Sequence, residues 1–362
     1  MGITLVFRKR FATYLLAHLF LAWALMTFSG PVLAQGTPKT IAYLESSNYW
    51  EYTSLYNKTL YELEELGIRD QLSFPDELHI SLHKGVSEAE LRKAAAQLMA
   101  NPKVELVLSM GTAATKAMLK ENNDRVPIVA IGVSDPVGMK FIDPYTGPAA
   151  PNLIIHFIRD QWEIRFRTMS TALHVHRLGL MYTNTLEGRT FSNVTAAREV
   201  GREQGFTLIE YPYIHEEESE KDCAEGIDAL LDAGIDAFYV PALNCFDWHY
   251  ANPGPIIEKL HKRGVKTFAQ EGKIQVKNGV LMGLTLTNNG SLGRFYAQKI
   301  GEQLQLLSVR DYEEDTVKNP IFTINLTTAK MLHLDFPFKL LVATDVIYDD
   351  SLPDVKDFDL DD

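Results

Sequence analysis

The chain has 362 residues, 46% of them hydrophobic, and a formal net charge of −12. That balance supplies ample apolar material for packed cores and argues against nucleic acid as a partner, because phosphate binding needs a basic surface. Its two cysteines, Cys223 and Cys245, are too few for a disulfide scaffold or a cysteine-rich metal site.

Arg8, Lys9 and Arg10 precede a mostly apolar run from Phe11 to Phe28. Ser29, Gly30 and Pro31 break the run, and Val32-Leu33-Ala34 then supplies a small-residue cleavage pattern. That order reads as a secretory signal peptide over residues 1–34, cut after Ala34, which places the mature protein in the periplasm. The alternative is an uncleaved membrane anchor, because the run approaches spanning length. No Cys stands at the cut, which argues against a lipid-anchored form. In an oxidising compartment Cys223 and Cys245 can bridge or stay free.

Beyond the leader, short apolar runs alternate with helical stretches. Thr40–Ser46 reads as a strand, and Trp50–Leu66 as a helix with Tyr52, Leu55, Tyr56, Leu60 and Leu63 at helical spacing, closed by Gly67. His79–His83 is a strand, and Ser87 with Glu90 forms a capping box for a helix ending at Met99. Val104–Met110, Pro127–Val133 and Leu153–Ile158 continue as strands, with a helix opening at Gly111-Thr112. A second series follows: a helix over Gln161–Leu173, a strand over Arg177–Tyr182 and a helix from Phe191 to Gln204. A strand at Phe206–Tyr211, a helix at Glu217–Leu231 and a strand at Asp236–Val240 come next. A helix at Ile256–Lys262 and strands at Val265–Phe268 and Val280–Leu286 complete the series. The remainder reads as a helix over Leu292–Leu307, an acidic linker at Arg310–Val317, a strand at Ile321–Asn325, a helix at Thr328–Leu334 and an acidic tail at Asp349–Asp362. Alternation of this kind implies α/β architecture with parallel sheets covered on both faces, and two such series imply two Rossmann-like lobes.

No nucleophile elbow, phosphate loop, dinucleotide fingerprint or zincin motif occurs, which lowers the odds of an enzyme, and no cofactor is implied. His79 with His83 and His174 with His176 each lack a third metal ligand by spacing. In open α/β sheets ligands sit at the carboxyl ends of strands, and that rule selects particular loops. Glu45, Ser46, Tyr49 and Trp50 follow the first strand and combine polar groups with aromatic faces. Gly111, Thr112 and Ala113 open a helix, whose N-terminus favours a carboxylate, or they form an ordinary glycine-assisted turn. Asp135 pairs with a ligand ammonium or caps its own turn. The second series offers Asn184, Asn244 and Glu271 at equivalent loops.

At these loops the chain resembles a known family. The stretches are LVLSMGTAATKAM (from Leu106), VPIVAIGVSDPVG (126–138), RLGLMYTNTLEGRTFSNV (177–194), DAFYVPALN (236–244), VKNGVLMGLTLTNNGSLGRFYAQKIGEQL (276–304) and FTINLTTAKML (322–332). In order and spacing they are similar to the ABC-transporter substrate-binding proteins that include tryptophan- and tyrosine-binding members. The sequence departs from that pattern at Leu243-Asn244, Gln270-Glu271 and Thr287-Asn288, all in the second-lobe half of the pocket. The resemblance implies a type I periplasmic-binding-protein architecture with a three-crossing hinge near Ile158–Asp160, Thr285–Asn289 and Val317–Asn319. Lobe 1 would comprise 35–158 and 288–317, and lobe 2 would comprise 159–287 and 318–348. It implies an amino-acid-like ligand held by Thr112 and Asp135 from the first lobe and by Asn184, Asn244 and Glu271 from the second. The expected function is a monomeric, non-enzymatic receptor that delivers a small-molecule ligand to an ABC transporter permease. The alternatives are presentation of the ligand to a membrane sensor and, further off, a secreted hydrolase.

Overall fold

The computed structural model describes residues 37–83, 85–215, 218–309 and 320–350. The leader, the linker at Arg310–Val317, the third expected hinge crossing and the acidic tail beyond Asp350 lie outside them. The first series runs β1 (Lys39–Glu45), α1 (Trp50–Glu65), β2 (Leu72–Ser73), β3 (His79–Ser81), α2 (Glu88–Met99), β4 (Val104–Met110), α3 (Thr112–Asn122) and β5 (Ile128–Ile131). The short antiparallel pair β6 (Ile142–Asp143) and β7 (Gly147–Pro148) and then β8 (Leu153–Ile155) close it. These strands form a parallel sheet in the order β2-β1-β4-β5-β8, with β3 also paired to β1.

The second series runs α4 (Gln161–Leu173), β9 (Arg177–Met181), α5 (Leu186–Phe191), α6 (Val194–Gln204), β10 (Thr207–Tyr211), α7 (Glu220–Asp232) and β11 (Ala237–Val240). It continues with α8 (Gly254–Lys262), β12 (Lys266–Ala269), α9 (Lys273–Lys277) and β13 (Met282–Thr285). The chain then passes back to the first sheet as α10 (Asn289–Gln303) and returns as β14 (Ile321–Asn325), α11 (Leu326–Met331), α12 (Phe338–Val342) and β15 (Val346–Tyr348). The second sheet has the order β10-β9-β11-β12-β13-β14-β15 and is parallel except at β13–β14.

Period-two alternation decides which side chain faces which helix layer. On β1, Ile41 and Tyr43 join Leu106, Leu108 and Val129 beneath α1 and α10, which supply Leu55, Leu63, Phe295 and Ile300. Ala42 and Leu44 point the other way, toward Leu91, Ala95, Leu98, Ala117 and Met118 of α2 and α3. In the second sheet Leu178, Leu180 and Tyr239 pack under α4 and α6, while Phe238 and Val240 pack under α7 and α8. Each sheet with its two helix layers is one lobe.

Local signals behave as their chemistry requires. Ser87 Oγ accepts the Glu90 N–H at 3.3 Å while the Ser87 N–H donates to Glu90 Oε2 at 3.1 Å, completing the capping box. The helix expected over 191–204 is broken at its start, because Ser192 and Asn193 turn the chain between α5 and α6, with Asn193 at φ 57°. Cys223 on α7 and Cys245 in the turn after β11 are joined as a disulfide, with Cα atoms 6.4 Å apart.

Candidate ligand site

The carboxyl ends of both sheets face one another across a cavity of about 350 Å³. From the first lobe come Tyr49, Trp50, Glu51 and Tyr52 at the start of α1, Gly132–Ser134 after β5, and Tyr296 of α10. From the second come Trp162 and Arg165 of α4, Gln270 and Glu271 after β12, and Lys273 and Lys277 of α9. His156, Phe157, Thr287, Asn288 and Asn289, where the chain passes between lobes, form the back wall. The lining therefore mixes aromatic faces with a few charges, the composition expected of an organic-ligand pocket.

Of these charges Arg165 is buried, Glu51, Glu271 and Lys273 are half-buried, and Lys277 is exposed. Arg165 is 7% exposed, stacks over the Trp162 ring at 4.5 Å and donates from Nε to the Leu284 carbonyl at 3.0 Å. Its Nη1 is buried without a protein partner. Burial pulls the guanidinium down to about 10, and burial pushes the Glu51 carboxyl up to about 7 against the opposing pull of Arg165. Glu271 is raised by burial to about 8. Its Oε2 accepts from Gln275 Nε2 at 3.2 Å, and its Oε1 is left unpartnered. His156 is lowered by burial to about 4 and stands neutral against Phe295. A buried guanidinium with an open donor and carboxyls held near neutrality can take a ligand that brings both an acid and a base.

Of the residues singled out in the sequence, Tyr49, Trp50 and Glu271 stand in the cavity wall. Glu45 is turned to the β1–β3 side, where Tyr43 and Ser81 hydroxyls donate to its Oε2 at 2.9 and 3.0 Å. Ser46 donates to the Met110 carbonyl at 3.2 Å. Gly111, Thr112 and Ala113 open α3 outside the wall, and Asp135 accepts the Gly138 N–H at 2.7 Å within its own turn. Asn184 takes a 2.6 Å hydrogen bond from Arg189, and the Asn244 N–H donates to Glu218 at 2.7 Å; neither lies in the wall.

Sequence reading passed over Arg165, Glu51, Trp162 and Tyr296. Arg165 did carry a signal, since it shares the buried stripe of α4 with Phe166, Met169 and Leu173, and a lone charge on an apolar face is costly without a use. Glu51 carried none, because an acid in the first turn of a helix is ordinary dipole chemistry.

The lobes also touch beside the cavity. Trp50 stacks on His249 with centroids 4.9 Å apart and planes 21° apart. Lys116 of α3 pairs with Glu187 of α5 at 2.6 Å. Trp162 Nε1 donates to the Ser134 carbonyl at 2.9 Å. Among the described residues no group of His, Cys, Asp or Glu is arranged to hold a metal ion, and no helix is long and apolar enough to cross a membrane.

No family model matches the chain, and no curated protein matches it. Solved structures do match. The ABC domain in complex with L-Trp from Streptococcus pneumonia has a TM-score of 0.65 at 16% identity, covering 85% of this chain and 99% of that one. The ligand-free, open structure of a substrate binding protein with adhesive properties from Clostridium difficile has a TM-score of 0.56 at 18% identity, covering 86% and 99%. An ABC transporter solute binding protein from Agrobacterium vitis with bound allitol has a TM-score of 0.52 at 14% identity, covering 76% and 92%. At these identities the likeness shows the fold, which is the two-lobed α/β architecture of type I periplasmic binding proteins.

Proposed function

We propose that this chain is an exported receptor for a small, amino-acid-like zwitterion and hands it to an ABC importer. The observation that carries the reading is Arg165. It is buried in the wall of an interlobe cavity with Nη1 unpartnered, and Glu51 lines the same wall. A ligand carboxylate satisfies Nη1 through a charge-assisted bond. A ligand ammonium meets Glu51 or Glu271 and favours their ionised forms. The Tyr49, Trp50, Phe157 and Trp162 rings supply the apolar contact. The solved structures of this fold include one with L-Trp and one with allitol, so the fold leaves ligand class open, and the charges in the wall support the zwitterion reading.

The test is direct. Small molecules released from the purified, denatured protein are identified by mass spectrometry, and the free amino acids are then screened one by one for a rise in melting temperature. A zwitterion among the released molecules, matched by a dose-dependent rise, is the expected result. Release of an uncharged polyol, with no amino acid raising the melting temperature, overturns the reading. N-terminal sequencing of the exported protein tests the leader, with Gln35 as the expected first residue; an intact Met1 in the membrane fraction overturns cleavage after Ala34.

A further inference from the structure

We propose that Tyr52 is a specificity-determining residue: its ring occupies the space over the carboxyl ends of β4 and β5 and so limits the length of solute the cavity admits. The inference rests on the receptor reading above. In an open parallel sheet the space beyond the central strands is where ligand is expected, and in this lobe it is filled by protein. Gly111 follows β4 and Gly132 follows β5, at φ +89° and +68°. A Cβ placed on Gly111 would collide with the Tyr52 hydroxyl, and one on Gly132 would stand 2.6 Å from the Tyr52 ring. Both positions therefore lack side chains where the ring is closest. Tyr52 is 6% exposed and packed edge-on to Tyr49 with centroids 5.3 Å apart. What remains open is the space toward Glu51, Trp162, Arg165 and the back wall. Gly111 is thereby screened from solute, and the loop it begins stands outside the wall.

The experiment compares the wild-type chain with Tyr52→Ala, Tyr52→Leu and Tyr52→Phe. The first probe is p-cresol, which has the shape of the deleted side chain, read by melting temperature and by its occupancy in a crystal. The second is a graded series of L-phenylalanine, L-tyrosine and O-benzyl-L-tyrosine, read by calorimetry. The expected result is p-cresol binding by Tyr52→Ala alone. O-benzyl-L-tyrosine should gain roughly tenfold or more in affinity on Tyr52→Ala, with a smaller gain on Tyr52→Leu, while Tyr52→Phe keeps the wild-type size limit. A folded Tyr52→Ala that takes up no p-cresol and keeps the wild-type size limit overturns the proposal. If Tyr52→Ala fails to fold, Tyr52→Leu decides: an unchanged size limit there overturns it. If p-cresol fills Tyr52→Ala but no amino acid binds any form, the plug stands and the zwitterion reading falls.

Discussion

Arg165 and Asp135 separate two placements of the ligand's charged end. Asp135 was the sequence's choice, and in the structure its carboxylate is spent on the Gly138 N–H. Arg165 has an open donor at the cavity wall. Arg165→Leu should abolish the melting shift given by the released ligand, because an unmatched buried charge costs about 3–5 kcal/mol out of the ~8 kcal/mol of a micromolar complex. Asp135→Ala should keep most of that shift; calorimetry on both variants checks the pair, and the reverse pattern would restore Asp135 as the ligand's partner. Glu271 makes a second prediction. Its carboxyl is raised by burial to about 8, whereas an unfolded Glu titrates near ~4.3. Below ~4.3 both states hold the proton. Between there and about 8 the folded state alone keeps it, so raising the pH favours unfolding. The melting temperature of the unliganded protein should therefore fall more steeply from pH 5 to pH 8 in wild type than in Glu271→Gln. Each pKa unit is worth about 1.4 kcal/mol, and the divergence should reach a few kcal/mol. Parallel curves would show Glu271 already ionised. Tyr49, Trp50 and Glu271 were legible because strand ends point to them. The Tyr52 plug was not, since helical spacing marks it as core and no local pattern says which wall of the core faces a ligand.

The repeating strand–helix rhythm was legible because apolar runs, caps and glycine stops act locally. Val104–Met110, Gln161–Leu173 and Ile321–Asn325 appear in the structure with the boundaries their sequence suggests. Short elements were not legible. α9, α12 and the edge strand β15 have few residues and draw their order from packing, as when Asn325 Nδ2 donates to the Val276 carbonyl of α9 at 2.9 Å. The loop after β11 shows what tertiary ties add. The disulfide fastens Cys245 to α7, the Asn244 N–H donates to Glu218 at 2.7 Å, and the Asn252 N–H donates to Glu220 at 3.3 Å. This loop carries His249 to Trp50. Replacing both cysteines by alanine should lower stability by about 3 kcal/mol, the loop-closure value for a separation of 22 residues. Chemical denaturation checks this, and a midpoint unchanged from wild type would mean that Glu218 and Glu220 hold the loop unaided.

The contacts between lobes include an ion pair at the surface. The Lys116–Glu187 pair is part-exposed, with side chains at 30% and 36%, and such pairs contribute about 0.2–1 kcal/mol. Lys116→Ala should weaken ligand binding by no more than about fivefold, and the difference should vanish in 1 M salt, where screening acts within ~3 Å. A deficit that persists in high salt would mean that Lys116 acts otherwise than by charge. The resemblance implies three crossings, of which the third lies outside the described residues, and the order of the segments bears on assembly. α10 lays Phe295, Tyr296 and Ile300 over the face of the first sheet that begins with Ile41 and Tyr43. β14 reaches the second sheet later still, pairing antiparallel with β13. A nascent chain that has delivered everything through Leu286 thus possesses nearly all its strands but lacks part of the cover over one face of each sheet. Covering that face waits on contacts distant in sequence, and such contacts form slowly. If the chain is exported, as proposed above, that late step suits passage through a narrow secretion channel, because the carboxyl-terminal segments act as the last key to both lobes.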